Sequence, residues 1–220
     1  MYDIQKIKKS VFATLTQVPS SVDIGSGFRK LVTDLYVNPD ALPYEVSSRT
    51  FKFLGKNISG LCIRNKNGGY EFFNSEYMVE PVTILHPGTS IILQRRNHRT
   101  EECCIFLSLL DYIGFMNLLY NESLPEGISH PCDCFIIGDE SNLIDAMLDT
   151  DCYSRNYCFF SWSLIGRTIS KTFIHRNPKV NIDMSGFYQE FGSIFEYNKR
   201  LYSEIFDVRV SSHKDSKNIP

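Results

Sequence analysis

The chain has 220 residues, 43% of them hydrophobic and 22% charged, with a formal net charge of −2. That length can bury one sizeable core or two small ones, and its 13 Gly and 9 Pro exclude collagen-like and broadly disordered classes. No apolar run approaches the ~18 residues needed to span a bilayer, so no membrane partner is expected.

The opening segment MYDIQKIKKSVFATLTQ carries basic residues without a continuous apolar core, so no signal peptide is expected. The seven cysteines read as reduced thiols of a cytoplasmic protein. Charge is uneven along the chain. Residues 1–100 hold 13 Lys and Arg against 8 Asp and Glu, and residues 101–220 hold 10 against 17. Between Glu122 and Asp151 there are eight acids and no Lys or Arg, a stretch that would repel a phosphate backbone. The dense positive cluster is Arg95, Arg96 and Arg99 with His98. These arginines and Arg64 are the nucleic-acid-binding candidates, although a short basic run is commonly a solvated turn.

Apolar spacing predicts helices over Ile7–Thr16 and Phe28–Leu35. Asn38-Pro39-Asp40 and Leu42-Pro43 then break the pattern. Strand-like runs follow at Ser59–Arg64 and Tyr70–Phe73, joined by Asn65-Lys66-Asn67-Gly68-Gly69, whose Asn and Gly tolerate the positive φ of a hairpin turn. Val82–Leu85 and Ser90–Gln94 are further short strands. From residue 101, apolar runs at Cys103–Leu107, Cys134–Ile137, Tyr157–Phe160 and Val180–Ile182 alternate with helical stripes, the last a long helix marked by Phe187, Phe191, Ile194, Leu201 and Ile205. Alternation of this kind predicts an α/β fold, a mainly parallel, doubly wound sheet flanked by helices. The expected organisation is an α+β region with a β-hairpin over 1–100, an α/β domain over 101–208 and a flexible tail over 209–220. In such a sheet ligands bind beyond the carboxyl ends of the strands. That places function at Leu107–Asp111, Gly138–Ser141, Ser161–Arg167 and Asp183–Gly186.

The segment Gly60–Asn74, GLCIRNKNGGYEFFN, resembles a hairpin signature of primase-like proteins from Bacteroidetes mobile elements, where it precedes a toprim domain, the catalytic α/β fold of bacterial primases and topoisomerases. The order of elements downstream agrees, and the resemblance covers roughly Ala41 to Tyr202. It implies a magnesium site built from a Glu-Gly after the first strand and an Asp-x-Asp after the third. This sequence departs at each of those places. Leu107 and Ser108 stand where the Glu-Gly is expected, and Ser161 and Ser163 where the two Asp belong, while Asp111, Gly166 and Arg167 match the pattern. A neutral hydroxyl does not offset the dehydration cost of a divalent ion, so the resemblance implies a degenerate site, with no catalytic residue and no cofactor, magnesium included.

Weak candidates for a relocated metal are Asp139, Glu140 and Asp183, which share no ligand spacing. His130-x-Cys132-x-Cys134 is too tight for a structural zinc pair, so the cysteines read as buried thiols. Trp162, in the former metal loop, is a partner-contact candidate, with plain packing as the alternative. The function these residues suggest is a catalytically inactive toprim-like protein, acting by binding or regulation in mobile-element DNA metabolism through a protein partner or a second copy of itself. The alternatives are weak nucleic-acid binding through the basic half and a metal-dependent nucleotidyl transferase or nuclease with a moved metal.

Overall fold

The computed structural model describes residues 16–17, 26–53, 56–94, 100–124, 128 and 132–203. Arg95, Arg96 and Arg99, the 209–220 tail and all but the last residue of the helix expected over Ile7–Thr16 lie outside them. Thr16 itself is in a strand.

The first half forms an antiparallel five-stranded sheet in sequential order. Its strands are β1 (Thr16–Gln17), β2 (Val46–Phe53), β3 (Lys56–Arg64), β4 (Tyr70–Phe73) and β5 (Val82–Ile84). Helix α1 (Ser26–Thr33) precedes β2, as its apolar spacing predicts. The β3–β4 turn is held by its own sequence. Asn65 Oδ1 accepts from the N–H of Asn67 (3.0 Å) and of Gly69 (2.9 Å), and Asn65 Nδ2 donates to the His86 carbonyl at 2.6 Å. Gly68 sits at φ +84°, where a Cβ would be strained. A Cβ on Gly69 would lie 2.1 Å from the His86 oxygen, so only Gly permits the contact.

The second sheet runs in the order β10-β9-β7-β8-β6. Strands β7 (Glu102–Phe106), β8 (Asp133–Ile136), β9 (Arg155–Phe159) and β10 (Asn181–Asp183) are parallel, and β6 (Ser90–Ile92) joins the β8 edge antiparallel. The boundary expected at residue 100 therefore falls inside shared architecture, with β6 in the sheet of the second half. Each parallel strand except β10 is a nearly unbroken apolar run because neither face meets water. Residues Cys104, Phe106, Cys134, Ile136, Tyr157 and Phe159 pack with helix α2 (Leu109–Tyr120) in a core shared with the first sheet. Their alternates Cys103, Ile105, Phe135 and Cys158 pack with α3 (Leu143–Thr150) and α4 (Leu164–Arg176). Phe106 stacks on Phe159 at 5.3 Å, and Phe115 tilts against both. The chain is thus mixed α/β.

The long final helix is corrected. A 3-10 segment, Ser185–Phe191, ends at Gly192, whose φ is +80°, and an α-helix, α5, begins only at 194 and runs through 203. The apolar stripe is continuous across Gly192, so spacing alone does not reveal the break. α2 and α5 approach closely at Gly114, where a Cβ would lie 2.8 Å from the Phe195 Cα. Beside that crossing Asn117 Nδ2 donates to Asn198 Oδ1 at 2.7 Å, and Asn117 Oδ1 accepts from the Asn38 N–H at 2.9 Å.

Asn65→Ala removes three hydrogen bonds from a residue only 5% exposed. It is expected to destabilise the chain by about 3 kcal/mol, taking about 1 kcal/mol per bond, read from the urea midpoint.

Candidate functional site

Parallel strands deliver their trailing loops to one edge, and a cleft of about 540 Å³ opens there. Three of the four predicted segments line it, through Leu107, Ser108 and Asp111, through Gly138, Asp139 and Glu140, and through Ser161 and Ser163. The ladder extends beyond the strands to hold them in place, with Ile137 N–H bonded to the Phe106 carbonyl (3.0 Å) and Gly138 N–H to the Leu107 carbonyl (2.9 Å).

The fourth segment is corrected. Asp183 is turned away from the cleft, its Oδ2 accepting from Ser170 Oγ on α4 (2.8 Å) and its Oδ1 from the Ser185 N–H (2.9 Å). The fourth wall is instead Phe191, Gly192, Ser193, Phe195 and Glu196, at the start of α5. Asp139, Glu140 and Asp183 are therefore not brought together. Among the described residues no cluster of three or more His, Cys, Asp or Glu is arranged to hold a metal ion.

Each serine does local work. Ser108 Oγ caps α2, accepting from the Asp111 N–H at 3.3 Å and donating to Asp111 Oδ2 at 2.9 Å. Ser163 Oγ caps α4, accepting from the Gly166 N–H at 3.0 Å, and lies 2.8 Å from Ser161 Oγ. Gly166 allows this closeness, since a Cβ there would lie 2.1 Å from the Ser161 carbonyl oxygen. Arg167 is exposed and follows the cap, its N–H bonded to the Ser163 carbonyl. Asp139 Oδ1 accepts from the Ser141 N–H and Oγ.

Asp111 is only 4% exposed. Burial pushes its pKa up from the ordinary 3.8 to about 6, against hydrogen bonds from Ser108, Ser193 and the Phe195 backbone that favour the charge. The remaining candidates are scattered. Trp162 is half-buried against the core, its indole N–H donating to the Ser185 carbonyl at 2.9 Å. Arg64 is exposed at the end of β3 and does not line the cleft. Cys62, Cys103, Cys104, Cys132, Cys134 and Cys158 are buried, and Cys152 is exposed. Burial pushes the Cys62 thiol up to about 11 and Cys103 and Cys158 higher still.

Sequence reasoning missed Glu80, Ser193 and Glu196 on the cleft wall, and Glu71 behind it. Glu71 is 2% exposed, and its Oε1 accepts from the Leu109 N–H at 2.7 Å, at the first turn of α2. A Cβ on Gly138 would lie 3.3 Å from its Oε2. A carboxylate from the first sheet thus sits at the positive end of a helix of the second. Glu71 lies inside the hairpin segment Gly60–Asn74, but its bond to Leu109, 38 positions away, leaves no local mark in the sequence.

Neither a protein-family model nor a curated protein matches the chain. A crystal structure of the primase fragment of the bacteriophage T7 primase-helicase protein is similar at 10% sequence identity and a TM-score of 0.48, over 76% of this chain and 71% of that one. At that score the likeness carries nothing into the reading of the site.

Asp111 sets a pH dependence whose sign is fixed by burial. Between its unfolded value near 3.8 and its folded value of about 6 the folded chain holds the extra proton. The group therefore disfavours folding increasingly as pH rises through that window, and by about 3 kcal/mol at pH 7. Asp111→Asn should remove this contribution. Urea denaturation at both ends should show the variant gaining about 2 kcal/mol on the parent between pH 4 and pH 7.

Proposed function

We propose that this chain is a catalytically inactive, toprim-like protein of a primase-like type, with a doubly wound sheet, and that it acts by binding a protein partner in mobile-element DNA metabolism. One observation carries the reading. At the strand edge where the resemblance calls for a Glu and an Asp pair, the cleft presents Leu107, Ser161 and Ser163, and both serine hydroxyls are engaged with each other or with a helix end.

These residues do not fit magnesium. Magnesium is held by full carboxylate charges at near-octahedral geometry and gives up water reluctantly. An aliphatic side chain offers no oxygen, and a capping hydroxyl offers a neutral one. Asp111, the carboxylate that remains in the pattern, is committed to Ser108, Ser193 and the Phe195 backbone. Ser108 and Ser163, though departures from the pattern, cap the helices that it needs, so the scaffold can persist without the ion.

Purified chain is expected to show no magnesium- or manganese-dependent nucleotide incorporation or DNA nicking, and no thermal shift with either ion. The triple variant Leu107→Glu/Ser161→Asp/Ser163→Asp keeps a side chain able to cap α4, and is expected to gain a magnesium-dependent rise in melting temperature. Activity in the parent chain that is lost in Asp139→Ala would sink the reading.

A further inference from the structure

The cleft combines two kinds of surface. Its charged lining is Glu80, Asp111, Asp139, Glu140 and Glu196, with no Lys, Arg or His among the described residues that line it. Its rim also leaves large apolar groups in water, with Val79 57% exposed, Ile165 54% and Phe191 36%. Leu164, 75% exposed, continues this surface on α4.

We infer that the cleft docks a short basic segment of another protein in which Lys or Arg alternates with aliphatic or aromatic side chains. This rests on the binding-module reading above and adds the chemistry of the partner.

The argument is charge complementarity joined to exposed apolar area. Three of the acids, Glu80, Glu140 and Glu196, are exposed, so they keep their hydration while alone and can meet a cation at the rim. Glu196 shares its charge with Lys199 at 3.8 Å, both half in solvent, an interaction of little worth there. A phosphate backbone is the wrong sign for such a lining, and a plain polyamine would leave Val79, Ile165 and Phe191 in water. An extended peptide alternates its side chains between two faces. It can set apolar groups against the rim and cations against the acids, which neither of those ligands does.

The test uses the full chain and a fluorescein-labelled peptide Lys-Leu-Lys-Leu-Lys, with Glu-Leu-Glu-Leu-Glu as its counterpart, followed by anisotropy. The basic peptide is expected to bind and the acidic one not. Binding should weaken at least about tenfold in Glu80→Gln/Glu140→Gln/Glu196→Gln, and also in Phe191→Ala. It should be unchanged in Asp40→Asn/Glu76→Gln/Glu122→Gln, which removes the same charge from exposed sites that do not line the cleft. Equal loss in both triple variants, or no binding at all, would overturn the inference. So would single-stranded DNA binding weakened by the cleft triple variant, or a dimer seen in sedimentation that this variant dissolves. Metal-dependent catalysis in the same preparation would sink the binding-module reading separately. Absent catalysis with a silent peptide would sink the docking inference alone.

Discussion

A parallel sheet buried on both faces has one place to put function. Its strands run the same way, so the loops after β7, β8 and β9 all emerge at one edge, and no side chain along their length reaches solvent except at the ends. The arrangement of the site is a consequence of this constraint. Leu107, Gly138 and Ser161 lie far apart in sequence yet share a cleft, because the ladder bonds from Ile137 and Gly138 back to Phe106 and Leu107 lock the loops in register. The chemistry of the cleft is then decided by the few side chains that these loops carry. The stacked Phe106 and Phe159, each fully buried one position or two before the edge, hold the loops whatever stands in them.

Local pattern and tertiary pairing contribute unequally to what is legible in the sequence. The strands β6, β7, β8 and β9 and the helices α2, α3 and α4 are readable because each is long or strongly apolar enough to announce its period. β2 is not, since in Val46–Phe53 only Val46, Phe51 and Phe53 are strongly apolar. That strand exists through eight consecutive pairings with β3, a property of its partner as much as of itself. The break at Gly192 is hidden for the opposite reason. Phe187, Phe191, Ile194 and Leu201 keep helical spacing across a residue that is not helical, and hydrophobic period is blind to a single φ. At the site, topology alone locates three segments. It fails at the fourth because β10 is an edge strand of three residues, and Asp183 bonds to α4 rather than facing the cleft. Glu71 is out of reach of any local argument, since what matters is its bond to Leu109, 38 positions away.

The carboxylates that remain at the edge divide into a floor and a rim, and the division separates the two ligands that an acidic cleft could take. On the floor, Asp111 is enclosed by Ser108, Ser193 and the Phe195 backbone, and its burial outweighs these donors and raises its pKa to about 6. A cation placed against it would have to displace those bonds and shed its own water. Asp139 is likewise bonded to Ser141. On the rim, Glu80, Glu140 and Glu196 stand in solvent, where a charge costs nothing to keep but holds a small hydrated ion poorly. A divalent metal needs the floor. A lysine or arginine on a flexible stem needs only the rim, because it can keep much of its hydration while its methylenes cover the exposed apolar groups beside it. The hydroxyls of Ser161 and Ser163, engaged with each other and with the start of α4, need no cation beside them, and the exposed Glu80, Glu140 and Glu196 leave negative charge facing outward at the mouth of the cleft.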